Sequence, residues 1–342
     1  MHHSIGIPLA RIAAIGSAVL AASVLTLMLV ADPAAAVMPG SEKPPANSSG
    51  GASVDHRIPA LTPFRLGAID GQKLIPNRDN VASRTTASGP LLLFLPATRQ
   101  EPGSYRGFLR TASRVGYHVL GLDYWNIGRS VAQTCQTDPA CYGAVQRNRL
   151  DGTHPSSFSK VDAANSVLSR FSAAIQLLQQ NDPTGGWGRF LDDNDRPVWS
   201  QIVVAGHSQG GGEAAYIAHR YAVRGALMFS SPIITDRDVA ASWLGTPGAT
   251  PVSRMYAFDD AHDCYYARIV GSWHRLGLDA AGTAVGDVPV ATTQHALVST
   301  RELGTPLQSH MLTVNDLGPV NTKGTPVFQP VWHWMLSRFP IT

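Results

Sequence analysis

Two hydrophobic rhythms alternate along this chain. Short unbroken apolar runs recur at residues 91–95 (Leu-Leu-Leu-Phe-Leu), 117–123, 202–204 (Ile-Val-Val), 223–230, 251–258 and 295–299. Runs of that length with little polar alternation predict strands buried on both faces, as in a parallel sheet. Between them lie segments with helical spacing. Residues 162–180 are the strongest, with Ala164, Val167, Leu168, Phe171, Ile175 and Leu178 on one stripe. Shorter helices are predicted near residues 105–115, 213–221, 267–276 and 330–338. Residues 64–69 and 73–75 flank Asp70-Gly71 and predict an opening hairpin. The alternation predicts an α/β fold: a mostly parallel twisted sheet with helices on both faces, in a single domain over residues 58–342.

The start of the chain breaks this pattern. Arg11 ends a weakly basic opening, residues 12–30 are apolar, and Ala34-Ala35-Ala36 precedes Val37. That layout predicts an export signal over residues 1–36 and a secreted or cell-envelope protein; left uncleaved, the segment would act as a membrane anchor. Residues 37–57, rich in Pro, Ser and Gly, read as a flexible linker.

Composition adds little that is specific. Of 342 residues 44% are hydrophobic and 15% charged, and the formal net charge is only +3, with basic residues scattered; nothing selects nucleic acid as a partner. Cys135 and Cys141 flank Asp138-Pro139, a turn able to bring them together as a disulfide in an oxidising compartment. Cys264 is left over and is expected to be a buried thiol. No cysteine or histidine spacing matches a metal site, and neither a metal nor a cofactor is called for.

The most specific pattern is Gly206-His207-Ser208-Gln209-Gly210, placed between an apolar run and a helical segment. Gly-x-Ser-x-Gly alone is a weak signal in a chain with 32 glycines. Its position gives it weight. A nucleophilic serine must stand clear of its backbone on a strained strand-to-helix turn, and only glycine two residues away on either side lets strand and helix approach. The following helix aims its first N–H groups at the same point, so Gln209 N–H can bind a developing oxyanion.

This elbow and the order of elements resemble the α/β-hydrolase superfamily, particularly secreted bacterial esterases and lipases. The resemblance covers residues 58–342, but only the elbow is a specific motif. It implies a serine hydrolase cleaving small carboxylic esters through an acyl-enzyme, with acid and histidine following the serine in chain order. Such an acid lies past the strand at residues 251–258. Asp263 is the candidate, with Asp260 and Asp259 as alternatives and Asp236 or Asp238 after the preceding strand as weaker ones. Any of the first three could instead cap the next helix. For the base, His310 is expected in a loop between the last strand and last helix, with His295 as runner-up; His274 and His333 fall within predicted helices. The second oxyanion donor would come from Ala97 or Thr98, although the His-Gly-Gly-Gly run of some esterases is missing there.

Two insertions, residues 124–160 and 181–200, are expected to shape the pocket, the latter as a rim carrying Trp187 and Trp199. No strongly apolar lid stands out, which favours a soluble ester over a lipid interface. A thioesterase or serine peptidase would use the same triad. A binding protein on a hydrolase scaffold would keep the fold without the chemistry.

Overall fold

A computed structural model describes residues 60–236, 239–278, 283–285 and 292–341. The expected export signal (1–36) and linker (37–57) lie outside the described residues. The chain order begins β1 (Thr62–Phe64), β2 (Asn80–Ser83), β3 (Leu91–Leu95), α1 (Arg106–Val115), β4 (His118–Gly121), α2 (Val131–Cys135), α3 (Pro139–Asp151) and α4 (Val167–Asn181). It continues through β5 (Ile202–His207), α5 (Gln209–Arg220), β6 (Gly225–Phe229), β7 (Thr235–Asp236), β8 (Val239–Ala240), β9 (Met255–Asp260) and α6 (Tyr266–Leu276). The last elements are β10 (Thr283–Val285), β11 (Ala296–Ser299), α7 (Pro306–Met311) and α8 (Gln329–Leu336).

The strands form one mixed sheet in the order β1-β2-β4-β3-β5-β6-β9-β11-β10. β2 pairs antiparallel with both β1 and β4, and from β4 onward every neighbour is parallel. The expected α/β class therefore holds. Central β3 shows why its sequence carries no alternation. All five residues are 0% exposed. Leu91, Leu93 and Leu95 pack on the face covered by α3, α4 and α5, while Leu92 and Phe94 pack on the face covered by α1 and α8. Both faces are apolar, so both positions of the pleat are too.

Several elements differ from their sequence reading. The turn at Asp70-Gly71 is present, with φ of 49° and 74° and an isolated bridge between Ile69 and Gln72, but no strands flank it. The antiparallel edge is made by β1 and β2 instead. The segment 124–160 contains two helices. Ser130 and Gln133 form a capping box on α2, and Asp138 caps α3 with Pro139 in its first turn. The Cys135–Cys141 disulfide, with a Cα–Cα separation of 5.3 Å, joins them. Cys264 is exposed, contrary to expectation, because it directly follows a buried acid in a surface turn.

The segment 181–200 sits at the opposite end of the sheet from the place expected. His118, at the start of β4, hydrogen-bonds the Gly185 carbonyl at 2.7 Å and meets the Trp187 ring edge-on at 4.8 Å. Helix α4 must run back against the parallel strands, so its exit lies at their amino ends. Trp187 and Phe190 extend the core of the α4 face there, and Trp199 stacks on Tyr221 at 4.9 Å.

Candidate active site

Ser208 connects β5 to α5 with φ 53° and ψ −116°, a region L-residues rarely adopt. The surrounding glycines explain how it is held there. A Cβ on Gly206 would lie 2.3 Å from the Gly210 carbonyl, and one on Gly210 would lie 2.0 Å from the Leu95 carbonyl. Any side chain at either position would push α5 off the sheet. Ser208 N–H donates to Phe229 O at 2.8 Å, which fixes the turn against β6.

The chain brings Asp263 and His310 to this turn from two later segments. His310 Nε2 lies 2.8 Å from Ser208 Oγ, and His310 Nδ1 lies 2.6 Å from Asp263 Oδ2. His310 is carried on the short helix α7 rather than in the expected loop. Thr305 and Gln308 form a capping box at its start, and Cys264 N–H donates to Pro306 O at 3.2 Å, tying the helix to the acid turn. All three side chains are buried: Ser208 is 8% exposed, Asp263 6% and His310 3%.

The other candidates are placed elsewhere. Asp260 Oδ1 accepts from His262 N–H at 2.9 Å and lies 3.1 Å from His262 Nδ1. Asp259 is fully buried, and neither of its oxygens has a hydrogen-bond partner among the described residues. Burial first, and the adjacent Asp263 charge second, hold its carboxyl well above the ordinary aspartate range. Asp236 lies in the β7–β8 hairpin, its backbone opposite Val239, and Asp238 is outside the described residues. His295 stacks on Tyr256 at 4.3 Å and bonds Met255 O, at the amino end of the sheet. His274 and His333 lie on α6 and α8.

The loop after β3 separates the two candidates expected there. Ala97 N–H donates to the Tyr105 hydroxyl at 3.1 Å and is thereby already engaged. Thr98 N–H makes no hydrogen bond among the described residues. Gln209 opens α5, so its N–H falls outside the helix's own ladder. The Thr98 hydroxyl donates to Gln209 Oε1 at 3.1 Å, joining the two residues. Asn126, fully buried, donates to Ala97 O at 2.7 Å and to Gln100 O at 2.8 Å and so clamps the loop.

Sequence reasoning missed Tyr105, Asn126 and the role of His207. Because Tyr105 accepts from Ala97, its hydroxyl donates to His207 Nδ1 at 2.9 Å; His207 Nε2–H then donates to His310 O at 2.9 Å. Burial, reinforced by His310, pushes the His207 pKa down to about 3, so this imidazole is neutral and its tautomer is set. A polar residue inside an otherwise apolar strand was the signal that could have found it.

A cavity of about 380 Å³ opens onto Ser208. Val131, Ala132, Ile233, Ile234, Leu307 and Met311 supply apolar walls, and Thr98, Ser130, Gln133 and Gln146 supply polar ones. The helical segment 124–160 thus shapes the pocket, while no residue of 181–200 lines it. Gln146 is fixed by donating to Gly212 O and accepting from the Trp243 indole, each at 2.9 Å. Among the described residues no cluster of three or more His, Cys, Asp or Glu is arranged to hold a metal ion.

In sequence, the chain matches no protein-family model and no curated protein. Three solved structures with a similar course of the backbone are a bacterial heroin esterase, carboxyl esterase 2 from Tuber melanosporum and the esterase LipW from Mycobacterium marinum. The first is 15% identical over 84% of this chain and 86% of its own, with a TM-score of 0.41. The second is 11% identical over 85% and 90%, at 0.45, and the third 14% identical over 82% of each, at 0.42. No helix among the described residues is long and apolar enough to cross a membrane.

Proposed function

We propose that this protein is an exported serine hydrolase that cleaves small carboxylic esters through an acyl-enzyme. The observation that carries the reading is the unbroken line from Ser208 Oγ through the His310 ring to Asp263, at 2.8 and 2.6 Å, opening onto a mainly apolar cavity. His310 Nε2 takes the serine proton as Oγ attacks the ester carbonyl, and Asp263 holds Nδ1–H and stabilises the imidazolium. The N–H groups of Gln209 and Thr98 bind the oxyanion of the tetrahedral intermediate. Its collapse expels the alcohol, which receives the proton from His310. Water, activated by the same ring, then releases the acid and restores Ser208.

The walls support an acyl group of modest size, because the cavity holds no unpaired acidic side chain and its apolar residues surround the serine. Export is supported by the N-terminal pattern and by the paired cysteines. The test is hydrolysis of p-nitrophenyl esters of increasing chain length by the purified protein. Ser208→Ala is expected to lower kcat/KM by at least about 10³-fold and to abolish labelling by a fluorophosphonate. Unchanged turnover in that variant would exclude the mechanism, and a wild type that neither turns over esters nor takes the label would point to a binding protein.

A further inference from the structure

The amino end of the sheet, opposite Ser208, carries a second concavity, of about 360 Å³. Ser200, Arg224, Ser253, Arg254, Arg338 and Phe339 line it. They come from four separate stretches: the turn before β5, the residue before β6, the turn before β9 and the end of α8. The parallel register brings the first three together, since Val203 pairs with Gly225 and Ala226 with Met255. Arg224 N–H donates to Trp199 O and Ile202 O, which locks that backbone in place. No residue lines both this concavity and the Ser208 cavity.

The guanidinium groups here are only partly satisfied. Arg224 donates to the Pro340 carbonyl, but its Nε is buried without a partner. Arg338 Nε donates to Trp334 O at 3.2 Å, and the group lies 4.7 Å over the Trp334 ring, which holds it in position. The Arg254 side chain makes no hydrogen bond or ion pair among the described residues. A fourth, Arg189, stands close enough that burial, and then the charge of Arg224, pull its pKa down. Arg78, Arg84 and Arg170 elsewhere each face an aspartate, whereas no acid among the described residues pairs with these four. Gathering like charges without a counter-charge is unfavourable unless an anion completes the site.

We propose that this pocket is an anion site that takes a phosphate group. Arginine forks match the geometry of a tetrahedral oxyanion with parallel N–H donors, and the hydroxyls of Ser200 and Ser253 add neutral ones. Phe339 gives an apolar wall against which the organic part of a phosphate ester can lie. The same chemistry serves a soluble phosphate ester or the headgroup of an anionic phospholipid.

Isothermal titration of the full chain with inorganic phosphate and with pyrophosphate at low salt tests this. One site per chain is expected, weakening as ionic strength rises. Arg254→Gln/Arg338→Gln is expected to weaken binding by about tenfold or more, since each arginine contributes charge-assisted hydrogen bonds. Both positions are exposed, so the unfolding midpoint and the Ser208-dependent turnover should stay at wild-type values, and Arg254→Gln alone should give an intermediate affinity. Sedimentation with phosphatidylglycerol vesicles identifies the source: co-sedimentation lost in the double variant marks a headgroup site, and binding of the soluble anions alone marks a soluble ester. Absence of phosphate and pyrophosphate binding by the wild type, or equal affinity in the double variant, overturns the proposal.

Discussion

Two buried aspartate clusters end two strands of the same sheet, and they are built on opposite principles. Asp123, just past β4, is saturated by cations. It accepts from Arg78 N–H and Nε, both at 2.8 Å, and stands 3.5 Å from the guanidinium of Arg170. Arg170 is itself almost fully buried and donates to Pro76 O at 2.8 Å and Asn165 Oδ1 at 2.7 Å. Burial draws its pKa down to about 10, against the pull of Asp123, so it stays charged at neutral pH. Asp259 and Asp263, at the end of β9 and in the turn beyond, have no arginine. Burial holds the carboxyl of the first well above the ordinary aspartate range, and the second faces an imidazole. The first cluster closes every valence and fastens the β2 edge to α4. The second leaves charge to be compensated only when a proton arrives on His310, which is what a catalytic pair requires.

The largest effect should come from the second cluster. Asp263→Asn keeps the shape but lets the imidazole take the wrong tautomer, and kcat for p-nitrophenyl esters should fall by about 10⁴-fold with little change in the unfolding midpoint. A loss below tenfold would mean that another carboxyl supports His310. The first cluster should respond the other way. Arg170→Met removes the buried partner of Asp123 and should cost about 3–5 kcal/mol in denaturant unfolding, while turnover per folded molecule remains within a few-fold of wild type. The smallest effect belongs to Asp259→Asn. With its pKa raised in the fold, Asp259 binds a proton there that the unfolded chain has released, so wild-type stability falls as pH rises above the ordinary aspartate range. The asparagine variant lacks this slope. Its stability relative to wild type should therefore grow from pH 4 upward, with kcat/KM changed by less than about tenfold. A difference independent of pH would show that Asp259 is ionised in the fold.

The same contrast explains what could be read from the sequence. Parallel strands buried on both faces leave apolar runs, and these were legible, as was Ser208, because a strained turn needs glycines at fixed spacing. Asp263 and His310 were reachable only through their order after the serine and their position past a strand. Nothing in their immediate neighbours distinguishes Asp263 from Asp260, since the difference is the direction each side chain leaves its turn. Where the segment 181–200 lies was misjudged because composition says what a loop contains and the polarity of α4 decides where it begins. The Ala97 N–H is already engaged by Tyr105, eight residues on, a contact with no local pattern. Arg170 was hidden by its place on a helix whose neighbouring positions are apolar.

The bond from His207 to the carbonyl of His310 spans 103 residues, and that from His310 to the serine spans 102. Neither can form until the sheet has assembled and α7 has docked on the elbow, and such distant closures come late because their loop entropy must be overcome first. Return of hydrolytic activity during refolding should accordingly lag the return of helical signal. Catalysis in this chain would serve as a clock that starts only when the final segment is in place.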